Sequence, residues 1–177
     1  MRLNEFVTEV DSHPMTTAPN TPTVAAFPGA AVADVTTLLP SRSAVLDRLA
    51  ELLSAPGGRP HTLMVIGLLR RHDGWPTAQS TLARVTTLLA GSLRGDDFLG
   101  KSGPGEFAVV LTGPVTAAEA AATRLLSAVP ALGIPELTAA AGISPLTGDA
   151  DEVLRRALQA LAAARQEGAG AVVRYGQ

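Results

Sequence analysis

The segment from His61 to Leu69 reads HTLMVIGLL, and from Leu63 onward no polar residue interrupts it. A strand with one wet face alternates polar and apolar residues. A continuous apolar run belongs to a strand covered on both faces. This stretch therefore has to sit in the middle of a sheet, and the rest of the chain has to supply its neighbours and its cover.

The flanking sequence alternates between two periods. Residues 41–54, SRSAVLDRLAELLS, place Val45, Leu46, Leu49, Leu52 and Leu53 on one helical stripe. Pro40 precedes a Ser start, and the following APGG stops that helix. A second helix is expected over 76–93, with Leu82, Val85, Leu88 and Leu89 as its stripe. Residues 97–102 and 106–112 read as two strands around a tight turn. A helix over 116–129, a strand over 136–144, a helix over 149–166 and a closing strand over 171–175 follow. Gly168 and Gly170 mark the end of the last helix. The order is α-β-α-β-β-α-β-α-β, with no internal repeat. Its core, βαββαβ, is the ferredoxin-like order, so the expected class is α/β (α+β) with a mostly antiparallel sheet flanked by helices.

Composition limits what this frame can do. Aromatic residues make up only 3% of the 177 residues, so Leu, Val and Ala must fill the core. The net charge of −2 gives no basic surface for nucleic acid. With no cysteine there is no disulfide, thiolate metal site or Cys nucleophile. His13, His61 and His72 do not cluster, which argues against a His-rich zinc site. No apolar run approaches the roughly 18 residues of a membrane span. The N-terminus lacks a basic start followed by an apolar block, so the chain is expected to be soluble and cytoplasmic. Residues 1–33, rich in Pro, Thr and Ala, read as a flexible tail. Met15 offers an alternative start, and the ordered domain is expected over 34–177.

Four motifs in this order resemble the GGDEF domain, the family of diguanylate cyclases. The family signature D-x-L-T-G-L-P-N-R is matched by Asp34-Val-Thr-Thr-Leu-Leu-Pro-Ser-Arg42, which keeps Asp34, Thr37, Leu39, Pro40 and Arg42. The signature hairpin G-G-D/E-E-F is similar to Gly103-Pro104-Gly105-Glu106-Phe107. The S-I-G-V/I strand resembles Ala141-Gly142-Ile143, and the last helix resembles Ala157 to Gly168. The likeness spans about residues 34 to 175.

Such cyclases join two GTP molecules into cyclic di-GMP. This is phosphoryl transfer, in which metals neutralise developing charge. Magnesium prefers carboxylate oxygens. The resemblance places the family's metal-binding Asp at Gly67 and its second carboxylate at Gly105, leaving only Glu106. It therefore implies a catalytically inactive member without catalytic residues, without a metal site and with poor magnesium binding. Arg70 and Arg71 attract phosphate without replacing a metal. The segment after the first strand is about five residues short by the same comparison, which leaves Asp73 as a substitute guanine contact. Pro104-Gly105 suits the central positions of a type II turn, so GPG has a structural reading as well as a functional one. Arg165 stands where the family has a phosphate-contacting Lys, and Ala169 replaces an Arg common after that helix. With Arg155 and Arg156, Arg165 also fits a solvated helix face. His72 and Trp75 read as loop and core-edge residues.

Many family members carry an inhibitory product site, R-x-x-D, just before the hairpin. Arg94-Gly-Asp-Asp97 keeps Arg94 and Asp97 at that offset from Gly103. Arginine offers a planar donor fork for phosphate or a guanine edge, and a carboxylate accepts guanine N–H groups. Arg124, on the following helix, is the candidate third member. The alternative is a surface ion pair that decorates the loop. Two functions remain open beside each other. One is a cyclic di-GMP receptor and signalling module, the other a protein-interaction scaffold without ligand; an active cyclase ranks behind both. A protein partner and a homodimer fit either reading.

Overall fold

The computed structural model describes residues 38–55, 58–70 and 77–176. The expected tail over 1–33, Asp34 and Thr37 of the opening signature, and Arg71, His72, Asp73 and Trp75 lie outside the described residues. The elements are α1 (Arg42–Ser54), β1 (His61–Arg70), α2 (Gln79–Ser92), β2 (Phe98–Gly103), β3 (Glu106–Thr112), α3 (Val115–Ala128), β4 (Leu137–Pro145), α4 (Ala150–Glu167) and β5 (Val172–Arg174). A short 3-10 turn at Pro130–Leu132, unforeseen from periodicity, follows α3. A proline donates no backbone hydrogen bond and disfavours further α-helix, so the chain tightens there before Gly133 turns it at φ 66°.

The strands form one sheet in the order β2-β3-β1-β4-β5. The pairings β2:β3, β3:β1 and β1:β4 are antiparallel, and β4:β5 is parallel. The sheet is thus the expected ferredoxin-like arrangement with one added edge strand. The uninterrupted run of β1 is explained by its place at the centre. Met64 and Ile66 join Phe107, Val109 and Ile143 beneath α2 and α3. Leu63 and Val65 join Ala108, Val110 and Ala140 beneath α1 and α4. Phe107, the aromatic of the hairpin motif, is fully buried and is a core residue. Burying a side chain of that kind stabilises the fold by about 1.5–3 kcal/mol.

Packing also explains the glycine of the β4 motif. A side chain at Gly142 would collide with the backbone of Ala157 and Leu161, so α4 lies directly on the β4 main chain. Helix α4 starts where the Asp149 carboxylate accepts the Glu152 N–H at 2.8 Å. It buries Val153, Leu154, Ala157, Ala160, Leu161 and Ala164 along one side. Its opposite side carries Glu152, which pairs with Arg155 at 2.6 Å and Arg156 at 2.7 Å. The hydrogen bond from Arg155 is the main cause that holds the Glu152 carboxyl below the ordinary glutamate range.

Candidate functional site

The β2–β3 hairpin has a candidate site at each end, separated by about 20 Å of extended strand at 3.3 Å per residue. At the turn, Pro104 and Gly105 connect the paired residues Gly103 and Glu106. Gly105 adopts φ 65°, as the second central position of a type II turn requires. The Gly105 carbonyl accepts the Leu68 N–H at 2.9 Å, which fastens the turn to β1. The opening signature braces the same hairpin from its free edge. The Pro40 carbonyl accepts the Lys101 N–H at 2.9 Å, and the Arg42 guanidinium donates to the Ser102 carbonyl at 3.1 Å. A cavity of about 450 Å3 opens here between Arg42, Thr77, Leu82, Lys101 and the turn. The buried Ser102 hydroxyl on its wall has no hydrogen-bond partner.

Gly67 and Glu106 are direct partners across the β1:β3 ladder. Both lie on the face covered by α1 and α4. The space beside them is taken by Arg165, in the last turn of α4. Its Nη2 is 2.9 Å from Glu106 Oε1. A Cβ built on Gly67 would stand 2.6 Å from the same Nη2 and 3.0 Å from Cζ and Nε. Arg155 and Arg156 do follow the expected helix-surface pattern. Arg165 is exposed, but its guanidinium also reaches a specific carboxylate. Sequence reading missed this pair because the partners come from elements far apart in the chain, β3 and α4. The available signal was the coincidence of a missing side chain at Gly67 with an arginine at Arg165.

The other end of the hairpin gathers Arg94, Asp97 and Arg124 around one cavity of about 240 Å3. Three elements build it: the segment after α2 gives Arg94 and Asp97, the end of β3 gives Thr112, and α3 gives Arg124 over a floor of Ala117, Ala118 and Ala121. Both arginines are exposed and Asp97 is half-buried. The Asp97 carboxylate accepts the Arg94 N–H at 2.9 Å through Oδ2 and the Thr112 N–H at 3.4 Å through Oδ1. The Asp97 N–H in turn donates to the Arg94 carbonyl at 3.1 Å. Asp97 therefore holds the turn and ties it to β3, so its contacts are with backbone groups. Arg94 and Arg124 supply the donors that face solvent.

Fold and sequence identify the class. The family described as diguanylate cyclase, GGDEF domain, matches residues 31–171, and the chain belongs to it. No curated protein gives a significant match. Among solved structures, the GGDEF domain of DgcB from Caulobacter crescentus in complex with c-di-GMP superposes with a TM-score of 0.71 at 19% identity, covering 84% of this chain and 98% of that one. The GGDEF domain of FimX from Pseudomonas aeruginosa gives 0.69 at 24% identity, covering 80% and 98%. The diguanylate cyclase SiaD of the same organism, solved with its activator SiaC, gives 0.70 at 22% identity, covering 80% of this chain and 61% of SiaD. The chain thus spans under two thirds of the SiaD length. At such identities the likeness establishes the fold. Among the described residues, no helix is long and apolar enough to cross a membrane.

Proposed function

We propose that this GGDEF domain does not synthesise cyclic di-GMP but binds it, at the cavity that holds Arg94, Asp97 and Arg124. The observation that carries the reading is the convergence of Arg94 and Asp97, from the segment after α2, with Arg124 of α3 on one concave surface. Two exposed guanidiniums beside a floor of alanines suit an anionic, planar ligand. The arginines meet phosphate or a guanine edge, and the alanines leave room for a base to lie flat. At about 240 Å3 the cavity is smaller than pockets that enclose a whole drug-sized ligand. One base would enter, and the rest of the dinucleotide would face outward toward a second copy or a partner protein. The solved complex of the DgcB domain with c-di-GMP supports the ligand class.

The loss of synthesis is argued from chemistry. Phosphoryl transfer to a second nucleotide relies on positioned metals and carboxylates. Gly67 on β1 and Gly105 in the hairpin turn stand where the family pattern has carboxylates. No cyclic di-GMP should form from GTP and magnesium. A competing reading, a scaffold that recognises protein alone, draws on SiaD having been solved with its activator.

Calorimetric titration with cyclic di-GMP, with GTP as comparison, separates these readings. The receptor reading expects micromolar binding of the dinucleotide and little of GTP. Arg94→Ala should weaken it at least about tenfold, the scale of one lost charged hydrogen bond. Binding that survives Arg94→Ala undiminished would sink the proposed site. An absence of heat with either nucleotide would favour the scaffold.

A further inference from the structure

The hairpin end of the sheet poses a separate question, namely what neutralises Glu106 in a site that lacks the other expected carboxylates. A hard divalent cation needs several oxygen ligands held together. The residues present do not fit that need. Gly67, the ladder partner of Glu106, has no side chain, and Glu106 Oε1 already lies 2.9 Å from Arg165 Nη2. Among the described residues, no group of three or more His, Cys, Asp or Glu could hold a metal.

We propose that the Arg165 guanidinium is a tethered resident cation for Glu106, which takes the room vacated at Gly67 and keeps divalent ions out. The inference deepens the reading of a non-synthesising domain and rests on it.

Three observations converge. The guanidinium stands so close to Gly67 that a Cβ there would lie 2.6 Å from Nη2, so a side chain at that position and the present pose exclude each other. The Glu106 side chain is mostly shielded from water, at 16% exposure, whereas Arg165 reaches it from the surface, at 36%. A shielded carboxylate needs a counter-charge, and Arg165 supplies one without any ion from solution. The third is the seat of α4, which lies on the β4 main chain at Gly142. Its last turn is therefore held at a fixed height above β1, within reach of the hairpin.

A metal ion approaching Glu106 would have to displace a cation already bonded to it. It would gain only one carboxylate in return. An arginine cannot release its proton to make way, because it stays charged at all accessible pH. It can only swing outward, and its contacts with the position of a Gly67 side chain are made by the far end of a flexible chain. A substitution at Gly67 can therefore move it without moving backbone.

The test titrates Mn2+ into the full chain without nucleotide, following free ion by electron paramagnetic resonance. The wild-type chain and Gly67→Asp should bind weakly, because in the second the guanidinium is pushed aside yet stays tethered within reach of both carboxylates. Gly67→Asp with Arg165→Ala places two unpaired carboxylates on facing ladder positions. It should bind at least about tenfold more tightly than wild type, since attraction to an ion scales with the charge left unpaired. Arg165→Lys should keep the weak binding of wild type, and Arg165→Ala alone should fall between. Wild-type binding as tight as the double variant, lost in Glu106→Gln, would overturn the proposal. So would a double variant that is folded by circular dichroism and gains nothing. Should the double variant not fold, the comparison of Arg165→Ala with Arg165→Lys decides in the same way, with equal affinities counting against the proposal. Cyclic di-GMP titrations run on the same samples read the opposite end of the sheet. Tight manganese binding with dinucleotide binding intact removes only the resident cation; the reverse result removes only the receptor.

Discussion

At one end of β3, Glu106 faces Gly67 and is held by Arg165 from α4. At the other end, the Thr112 and Arg94 N–H groups are held by Asp97, and Arg94 and Arg124 are exposed to solvent. The same hairpin joins two sites on opposite faces of the sheet, one closed on itself and one open. In the closed site the charges are spent on each other. In the open site the carboxylate serves the backbone, and so the arginines remain available to solvent. The difference teaches that a motif residue must be judged by its partner as well as by its identity: Glu106 matches the family letter and is engaged, whereas Arg94 matches it and is exposed.

Changes at each end should therefore fail in different ways, and the largest effect should come from what seats α4. Gly142→Ala forces a methyl group into the backbone of Ala157 and Leu161. A cost of about 3 kcal/mol is expected for such overpacking. Thermal melting should show a fall in Tm of roughly 6–12 °C for a domain of this size. A fall of under a degree would mean that α4 can lift off β4, and the fixed reach of Arg165 would be lost with it.

Next in size is the contrast within the open site. Arg94→Ala should weaken dinucleotide binding while leaving stability within about 0.5 kcal/mol, because its side chain is exposed. Asp97→Ala should do the opposite first. It removes the acceptor for two backbone N–H groups and should cost about 1–2 kcal/mol in denaturant unfolding. If Asp97→Ala abolished binding with no loss of stability, Asp97 would be a ligand contact, and the contrast drawn between the two residues would fail.

The smallest effect concerns the outer side of α4. The Glu152 carboxyl is held below its ordinary range, chiefly by the hydrogen bond from Arg155. A group whose folded-state pKa is depressed stabilises the fold above its unfolded value, near 4.3 for glutamate, and that stability disappears as pH falls through the folded value. Glu152→Gln should thus melt slightly below wild type at pH 7, and the gap should close in acid. A gap that widened in acid would reverse the sign of the linkage.

Much of this architecture was legible in the chain. The unbroken apolar run of β1 required cover on both faces, and the helical stripes of 41–54 and 149–166 supplied half of it. Element order alone gave the ferredoxin-like topology, because short connections leave few ways to arrange βαββαβ. The GPG turn was also readable, since only glycine sits comfortably at the φ of 65° found at Gly105. The 3-10 turn at Pro130–Leu132 was not readable, because three residues carry too little period to distinguish a turn from a helix end.

The order of residues along the chain was therefore enough for the fold and the hairpin turn. Local periodicity and turn chemistry act over a few residues, and they are written in order along the chain. Only the tertiary structure decided which charge meets which. It brought Arg165 to Glu106 because the close seat of α4 on Gly142 sets where the last turn of that helix ends. It brought Arg124 to Arg94 because α3 returns across the end of β3. Ion pairs and cavities depend on distances of a few ångströms between segments far apart in sequence. Those distances are fixed by packing of the whole core, and no short stretch of residues contains them.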